Sequence, residues 1–382
     1  MGSAREAEGK RLRRIVQLAL GNLFVFFAIV VVANVFSAVL LDLQYLLERT
    51  FLPDPKAERP TLPDRELARQ TFDEFDALQT NYAPYFAWSR AEFHGETITV
   101  AADGDRKHRP RTQRPEGVVR FFGGSTMWGK GVVDEKTIPA RFNDLRPELE
   151  VYNHGESGFV SRQSIARLVN LANQEEPMDW VVFYDGCNDA HSLCRGDVSI
   201  NGHTREQKLS HLVAPSSYLG RSLSDATLEV VEFLRLSLGL AEVLPSRCQS
   251  DPAYAQRVAR TLVNNWKIAR RIAEDQGAGF LAILQPLAPI GGERSDIEVN
   301  AESVRVRDYR LVYPIVREVM AREEADWLHD FRGAFDGEDS IYIDNCHVND
   351  RGNEVIAHRI HELIRDVEVA RGELAQLPTG WP

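Results

Sequence analysis

The sequence lacks the features that mark several large functional classes. Only four cysteines occur in 382 residues, so the chain is no small disulfide scaffold and must fold around an ordinary core. No pair of those cysteines has the spacing of a zinc site. Basic residues are in deficit, 45 Lys and Arg against 56 Asp and Glu, for a net charge of −11. An acidic total argues against nucleic-acid partners, whose binding rests on neutralising phosphates. Repeats and low-complexity tracts are absent, and Gly and Pro are ordinary in number, which excludes fibrous and disordered classes. Gly129-Lys130-Gly131 lacks the glycine spacing of a phosphate loop, and His358 and His361 have no third ligand near them; no cofactor and no metal are therefore expected.

One long hydrophobic run is present. Residues 15–41 are 27 consecutive positions without Asp, Glu, Lys, Arg or His. That exceeds the ~20 apolar residues a bilayer-spanning helix needs, and it exceeds the apolar core of a cleaved signal peptide. Residues 1–14 carry five basic against two acidic residues, +3 in all, leaving −14 for the remainder. Positive-inside bias then predicts a single-pass cell-membrane protein whose N-terminus (1–14) is cytoplasmic and whose body is periplasmic or extracellular. In an oxidising compartment the cysteines Cys187, Cys194, Cys248 and Cys346 allow up to two bridges in three connectivities; Cys194–Cys248, closing an insertion, is favoured.

Residues 42–116 hold seven prolines, from Pro53 to Pro115, and read as a tether and irregular lead-in. The aromatic cluster Tyr82, Tyr85, Phe86, Trp88 and Phe93 is expected to pack on the main domain. The basic run Arg106, Lys107, His108, Arg109, Arg111 and Arg114 reads as a solvated loop. From Gly117 strands alternate with helices. Val118–Phe122, Glu150–Asn153, Trp180–Tyr184, Phe280–Leu284 and Ala325–His329 read as strands. Helix-like stretches follow the first strand through Leu145 and cover Ser161–Glu175, Ala253–Gln276, 303–324 and Asp350–Arg371. An insertion at about 190–250 carries one helix near 225–240, and 373–382 is a tail. This alternation predicts a parallel sheet covered by helices on both faces, a three-layer α/β/α sandwich spanning 117–372.

In such sheets ligands bind beyond the carboxyl ends of the strands. Gly123-Gly124-Ser125-Thr126 follows the first strand, Asn153-His154-Gly155-Glu156-Ser157-Gly158 the second, Asp185-Gly186-Cys187-Asn188-Asp189 the third, and Asp344-Asn345-Cys346-His347 the last. A Ser hydroxyl needs a base to become a nucleophile, and His supplies one. An Asp three residues before the His can orient the ring and stabilise the imidazolium. The Ser125 N–H, the Gly158 N–H and the Asn188 amide are candidate donors to an oxyanion. Ser125, His347 and Asp344 are thus the candidate catalytic residues.

These four segments resemble the blocks of the SGNH (GDSL-type) hydrolase superfamily. Ser125 matches the nucleophile, Gly158 the block-two glycine, Asn188 the asparagine of Gly-x-Asn-Asp, and Asp344 with His347 the Asp-x-x-His block. Gly155 is a rival for the oxyanion glycine, and its spacing from Asn153 is the poorer match. The family's Gly-Asp-Ser is Gly123-Gly124-Ser125 here, which leaves the triad intact and alters the turn before it. The resemblance implies a flavodoxin-like α/β/α fold and cofactor-free hydrolysis of esters. The substrates it implies are acylated glycans, lipids or other esters; for anchored, outward-facing members they are the O-acetyl groups of envelope polysaccharide, beside the enzymes that assemble it. It leaves two alternatives, an O-acyltransferase using the same triad and a non-catalytic anchored interaction module.

Overall fold

The computed structural model describes residues 2–51, 56–206, 246–291 and 299–372, with five further positions between 209 and 234. Its contacts divide the chain into two units, Met1–Pro53 with Ser210–Val243, and Asp54–Leu209 with Leu244–Pro382.

In the first unit α1 (Gly2–Phe51) is one continuous helix. Within it Arg13–Leu40 has a mean hydropathy of 2.8 and is long and apolar enough to cross a membrane. Leu18, Leu23, Phe24, Phe26 and Ile29 all stand exposed. The 15–41 stretch lies inside α1, and the helix runs on where a tether is expected. The helix expected near 225–240 and the 373–382 tail lie largely or wholly outside the described residues.

In the second unit five strands form a parallel sheet: β5 (Gly117–Gly123), β6 (Leu149–Asn153), β7 (Trp180–Asp185), β8 (Gly279–Leu284) and β9 (Leu328–Asp330), in the order β6-β5-β7-β8-β9. Val119 stands opposite both Val151 and Trp180, and Val182 opposite Leu281. The first of these strands lies second from the edge, so the chain leaves it once in each direction. The strand order therefore reverses between β5 and β7, the place where open α/β sheets hold their ligands.

Every residue of β7 and β8 is buried. That is why both read as unbroken apolar runs rather than alternating ones. Their side chains divide by parity. Phe122, Val181, Phe183 and Ala282 join one core with α5 (Ser161–Asn173), α8 (Pro252–Asp275) and α9 (Val304–Glu323). Phe121, Val182, Leu281 and Ile283 join the other with α4 (Ile138–Leu145) and α10 (Asp350–Arg371). The helices start where side chains satisfy their free N–H groups: Thr137 accepts from Ala140, Asp251 from Ala253 and Asn349 from Gly352.

Three expectations are corrected. The lead-in is not irregular. Asp64 caps α2 (Arg65–Ala77), whose Ala68, Phe72 and Phe75 are buried, and two hairpins follow: β1 (Thr80–Ala83) with β2 (Ala87–Arg90), and β3 (Phe93–His94) with β4 (Thr99–Val100). Four of the prolines precede α2 and three follow it, so none lies within its turns to oppose it. The aromatic cluster is split, with Trp88 buried against Phe159 while Tyr82 and Tyr85 are 76% and 88% exposed. The basic loop is only partly solvated. Arg106 is 1% exposed, donates to the Trp128, Gly129 and Val132 carbonyls, pairs with Asp134 and lies over the Trp128 ring. The stretch after β5 divides into α3 (Ser125–Trp128), a single 3-10 turn and α4.

Cys194 and Cys248, the latter in the short helix α7 (Arg247–Ser250), are joined in a disulfide across 54 positions of sequence, whereas Cys187 and Cys346 are free and buried. Closing a loop of that length removes unfolded-state entropy worth up to about 4 kcal/mol. Replacing both bridged cysteines by Ser is expected to lower stability by about 2–4 kcal/mol in denaturant melts. An unchanged midpoint would contradict that contribution.

Candidate active site

The site is assembled from the loops at the carboxyl ends of the strands. β5 ends at Gly123, where an added Cβ would lie 2.4 Å from the Tyr184 carbonyl oxygen on the neighbouring strand. Only glycine lets β5 turn so tightly against β7. The chain then enters α3 with Ser125 as its first residue, 9% exposed. An α3 N–H at this position has no partner within its own helix.

His347 comes from the loop before α10. Asp344 shapes that loop: its Oδ1 accepts the backbone N–H of Cys346 at 3.1 Å and of His347 at 2.9 Å. The same carboxylate accepts from His347 Nδ1 at 2.8 Å. With the Nδ1 proton so placed, Nε2 is an acceptor, and Ser125 Oγ donates to it at 2.7 Å. Burial opposes ionisation of Asp344, but the charge and hydrogen bond of His347 and the ammonium of Lys56 outweigh it and hold the carboxyl well below the usual range. Asp344 therefore stays a carboxylate. Serine, imidazole and carboxylate, separated by more than 200 positions, form one hydrogen-bonded chain.

Asn188, in the first turn of α6 (Cys187–Ser192), donates from Nδ2 to the Phe159 carbonyl at 2.8 Å. A Cβ on Gly124 would lie 2.6 Å from that same Nδ2 and 3.4 Å from the Phe159 oxygen. A side chain at position 124 would therefore crowd the Asn188 amide as it is placed here. Gly158 has φ +83°, and its carbonyl accepts from Thr204 Oγ1 at 3.1 Å. Among the described residues neither Gly158 N–H nor Ser125 N–H has a hydrogen-bond partner. Gly155 serves a different purpose, since a Cβ there would meet the Trp128 nitrogen at 2.5 Å; it lets the loop pass beneath α3.

Asp189 ties two of these loops together. Buried beside Asn188, it accepts the Ser161 backbone N–H and, at 2.6 Å, its hydroxyl, at the start of α5 just after Gly158 and Phe159. Burial pushes its carboxyl up to about 6. Burial, with Asp189 adding to it, raises the neighbouring Asp185 further, against the bond from Trp266 Nε1. The neighbouring Cys187 thiol, together with burial, raises the Cys346 thiol. The residue before Asn188 thus lies near the residue before His347. Among the described residues the one close group of metal-ligand types is Asp344, Cys346 and His347, where carboxylate and Nδ1 are already committed to each other.

Two participants carry no local signal in the sequence. Lys56, in the Pro-rich segment, pairs with Asp344 at 2.9 Å. The Phe159 carbonyl, which orients Asn188, is a backbone group that no residue pattern marks.

The second loop is held from below. Arg120 Nη1 donates to His154 Nε2 at 3.0 Å, so His154 donates from Nδ1 to Asp105 at 2.9 Å, and Asp105 also pairs with Arg167. Burial, helped by Arg167 and Arg120 and opposed by Asp105, lowers His154 to about 4. Neutral His154 is the folded form, so this stability is full above the ordinary histidine range near 6.5 and is lost as pH falls through about 4. The linked contribution is on the order of 3 kcal/mol. Denaturant melts of the wild type should weaken between pH 7 and pH 4 more steeply than those of His154→Gln. Identical slopes would contradict it.

No protein-family model matches the chain, and no curated protein is similar to it in sequence. Solved structures are similar in chain path. A carbohydrate acetylesterase family member from Sinorhizobium meliloti is 13% identical with a TM-score of 0.38, covering 65% of this chain and 98% of its own. A member of the lipolytic protein G-D-S-L family from Veillonella parvula is 16% identical at 0.36, covering 65% and 98%. A catalytic mutant of an acetylxylan esterase from Geobacillus stearothermophilus is 14% identical at 0.35, covering 66% and 95%.

Proposed function

We propose that the chain is a membrane-anchored serine esterase of SGNH type that hydrolyses ester-linked acyl groups through an acyl-enzyme. The observation that carries this reading is the Ser125 Oγ to His347 Nε2 hydrogen bond at 2.7 Å, with Asp344 at 2.8 Å from Nδ1. Ser125 Oγ attacks the ester carbonyl as His347 Nε2 takes its proton. Asp344 stabilises the imidazolium, which then protonates the leaving alkoxide. Ser125 N–H, Gly158 N–H and the Asn188 amide receive the oxyanion, and Asn188 is preorganised by Phe159 and Gly124. Water, activated by the same imidazole, releases the acid.

Ser125 is only 9% exposed, which suits attack on a small acyl group such as acetyl better than on a bulky one. We assign an O-acetylated envelope glycan as the substrate class. The apolar helix supports anchoring, the basic residues before it support a cytoplasmic N-terminus, and the Cys194–Cys248 bridge fits an oxidising compartment outside the membrane.

Full-length protein in detergent should release acetate from p-nitrophenyl acetate and from an O-acetylated oligosaccharide. Ser125→Ala is expected to lose at least about 10³-fold in kcat/KM, and Asn188→Ala about 10²–10³-fold, with folds intact by circular dichroism. Wild-type turnover in Ser125→Ala would end the nucleophile assignment. Acetyl groups appearing on an added glycan acceptor, instead of free acetate, would replace hydrolysis with transfer.

A further inference from the structure

We infer that Lys56, in the segment leading from α1 into the catalytic body, is a positioning residue for the Asp344–His347 pair. This rests on the esterase reading above. Lys56 Nζ lies 2.9 Å from Asp344 Oδ2, while Oδ1 serves the two loop N–H groups and both oxygens lie 2.8 Å from the imidazole Nδ1. The ammonium therefore holds the carboxylate oxygen that the two loop N–H groups leave to the imidazole alone. The strap that carries it is fixed on both sides of the site. Ala57 and Leu62 are buried in a small apolar cluster with Ala68, Phe72 and Ile343, the residue immediately before Asp344. The Thr61 carbonyl accepts from Asn349 Nδ2 at 2.9 Å, just beyond His347. Three contacts thus press one strap onto one loop, and a lysine at its end meets the carboxylate that orients the base.

The chemistry follows from charge. A cation at Asp344 competes with the imidazolium for the carboxylate and disfavours protonation of the ring. The groups facing the pair are Lys56 from the strap, Ser125 from α3, Cys187 from α6, Arg305 and Tyr309 from α9, and Cys346 from the loop itself. Removing Lys56 takes away the cation in direct contact with Asp344 and leaves Arg305 as the remaining positive charge among them. The proton on His347 is then held more firmly, and the carboxylate loses a restraint on its plane.

The test is the pH profile of kcat/KM on p-nitrophenyl acetate, using the full chain in detergent micelles. The variants are Lys56→Met, Lys56→Gln and Lys56→Arg, each checked by circular dichroism, beside Ser125→Ala. The neutral variants are expected to lower kcat about 5–50-fold with little change in KM and to move the acid limb up by about half a pH unit or more. Lys56→Arg should restore both. A loss of thermal stability without movement of the limb would show a merely structural strap and overturn the inference. Wild-type rates and profile in a neutral variant, with Ser125→Ala inactive, would overturn it while leaving the esterase reading intact. Turnover in Ser125→Ala would overturn both.

Discussion

The carboxylate of Asp344 is the point on which the site depends. It does three things with one group: it closes its own loop by accepting two backbone N–H groups, it fixes which imidazole nitrogen carries the proton, and it meets the ammonium of Lys56. The tautomer follows from the second of these. With the proton on Nδ1, Nε2 has a lone pair directed at Ser125, and the serine hydroxyl has an acceptor at 2.7 Å. A neutral Asp344 would have to share its oxygens with a proton of its own, and that direction would be lost. Partial burial alone would favour that outcome; the positive charge around the carboxyl prevents it.

The rest of the fold brings loops to this group from different strands. A parallel sheet directs every strand's carboxyl end to one rim, so residues far apart in sequence arrive together without long excursions. The loops are then coupled to one another. Asn188 holds Phe159, Asp189 holds Ser161, Cys187 meets Cys346, and the Ala288 N–H donates to the Asn345 carbonyl from the end of β8. Rigid loops of this kind are what preorganised donors require, because a donor that must move to reach a developing charge loses much of its advantage. The buried Arg120–His154–Asp105–Arg167 network does the same for the second loop at depth.

Much of this was legible in the sequence for specific physical reasons. β7 and β8 are buried on both faces, so Trp180–Tyr184 and Phe280–Leu284 stand out as apolar runs. Asn188 follows the first of these runs and Ser125 follows the Val118–Phe122 run, while the spacing of three marks the Asp344–His347 pair. Asp189, beside Asn188, spends its carboxylate on the Ser161 N–H and hydroxyl, 28 positions earlier in the chain. What stayed hidden depends on contacts at long sequence distance or on the main chain. Lys56 sits among prolines with nothing nearby to mark it, and Ile343, its strap's apolar partner, is 287 positions away. Arg106 belongs to a run of basic residues, and only the placement of Trp128 makes it a core residue rather than a solvated one. α2 was obscured because the prolines that precede it dominate the composition of its segment, although Asp64 and the spacing of Phe72 and Phe75 specify a helix. Gly124 reads as a departure from the family pattern, and that its missing side chain lies against the Asn188 amide is visible only in three dimensions.

The most direct test of the central claim is covalent. Treatment of the full-length protein with a fluorophosphonate, followed by peptide mass spectrometry, reads which hydroxyl is activated and whether His347 activates it. The account predicts a single stoichiometric adduct on Ser125 that is lost in His347→Ala. An unmodified Ser125, or an adduct that forms equally well without His347, would contradict it.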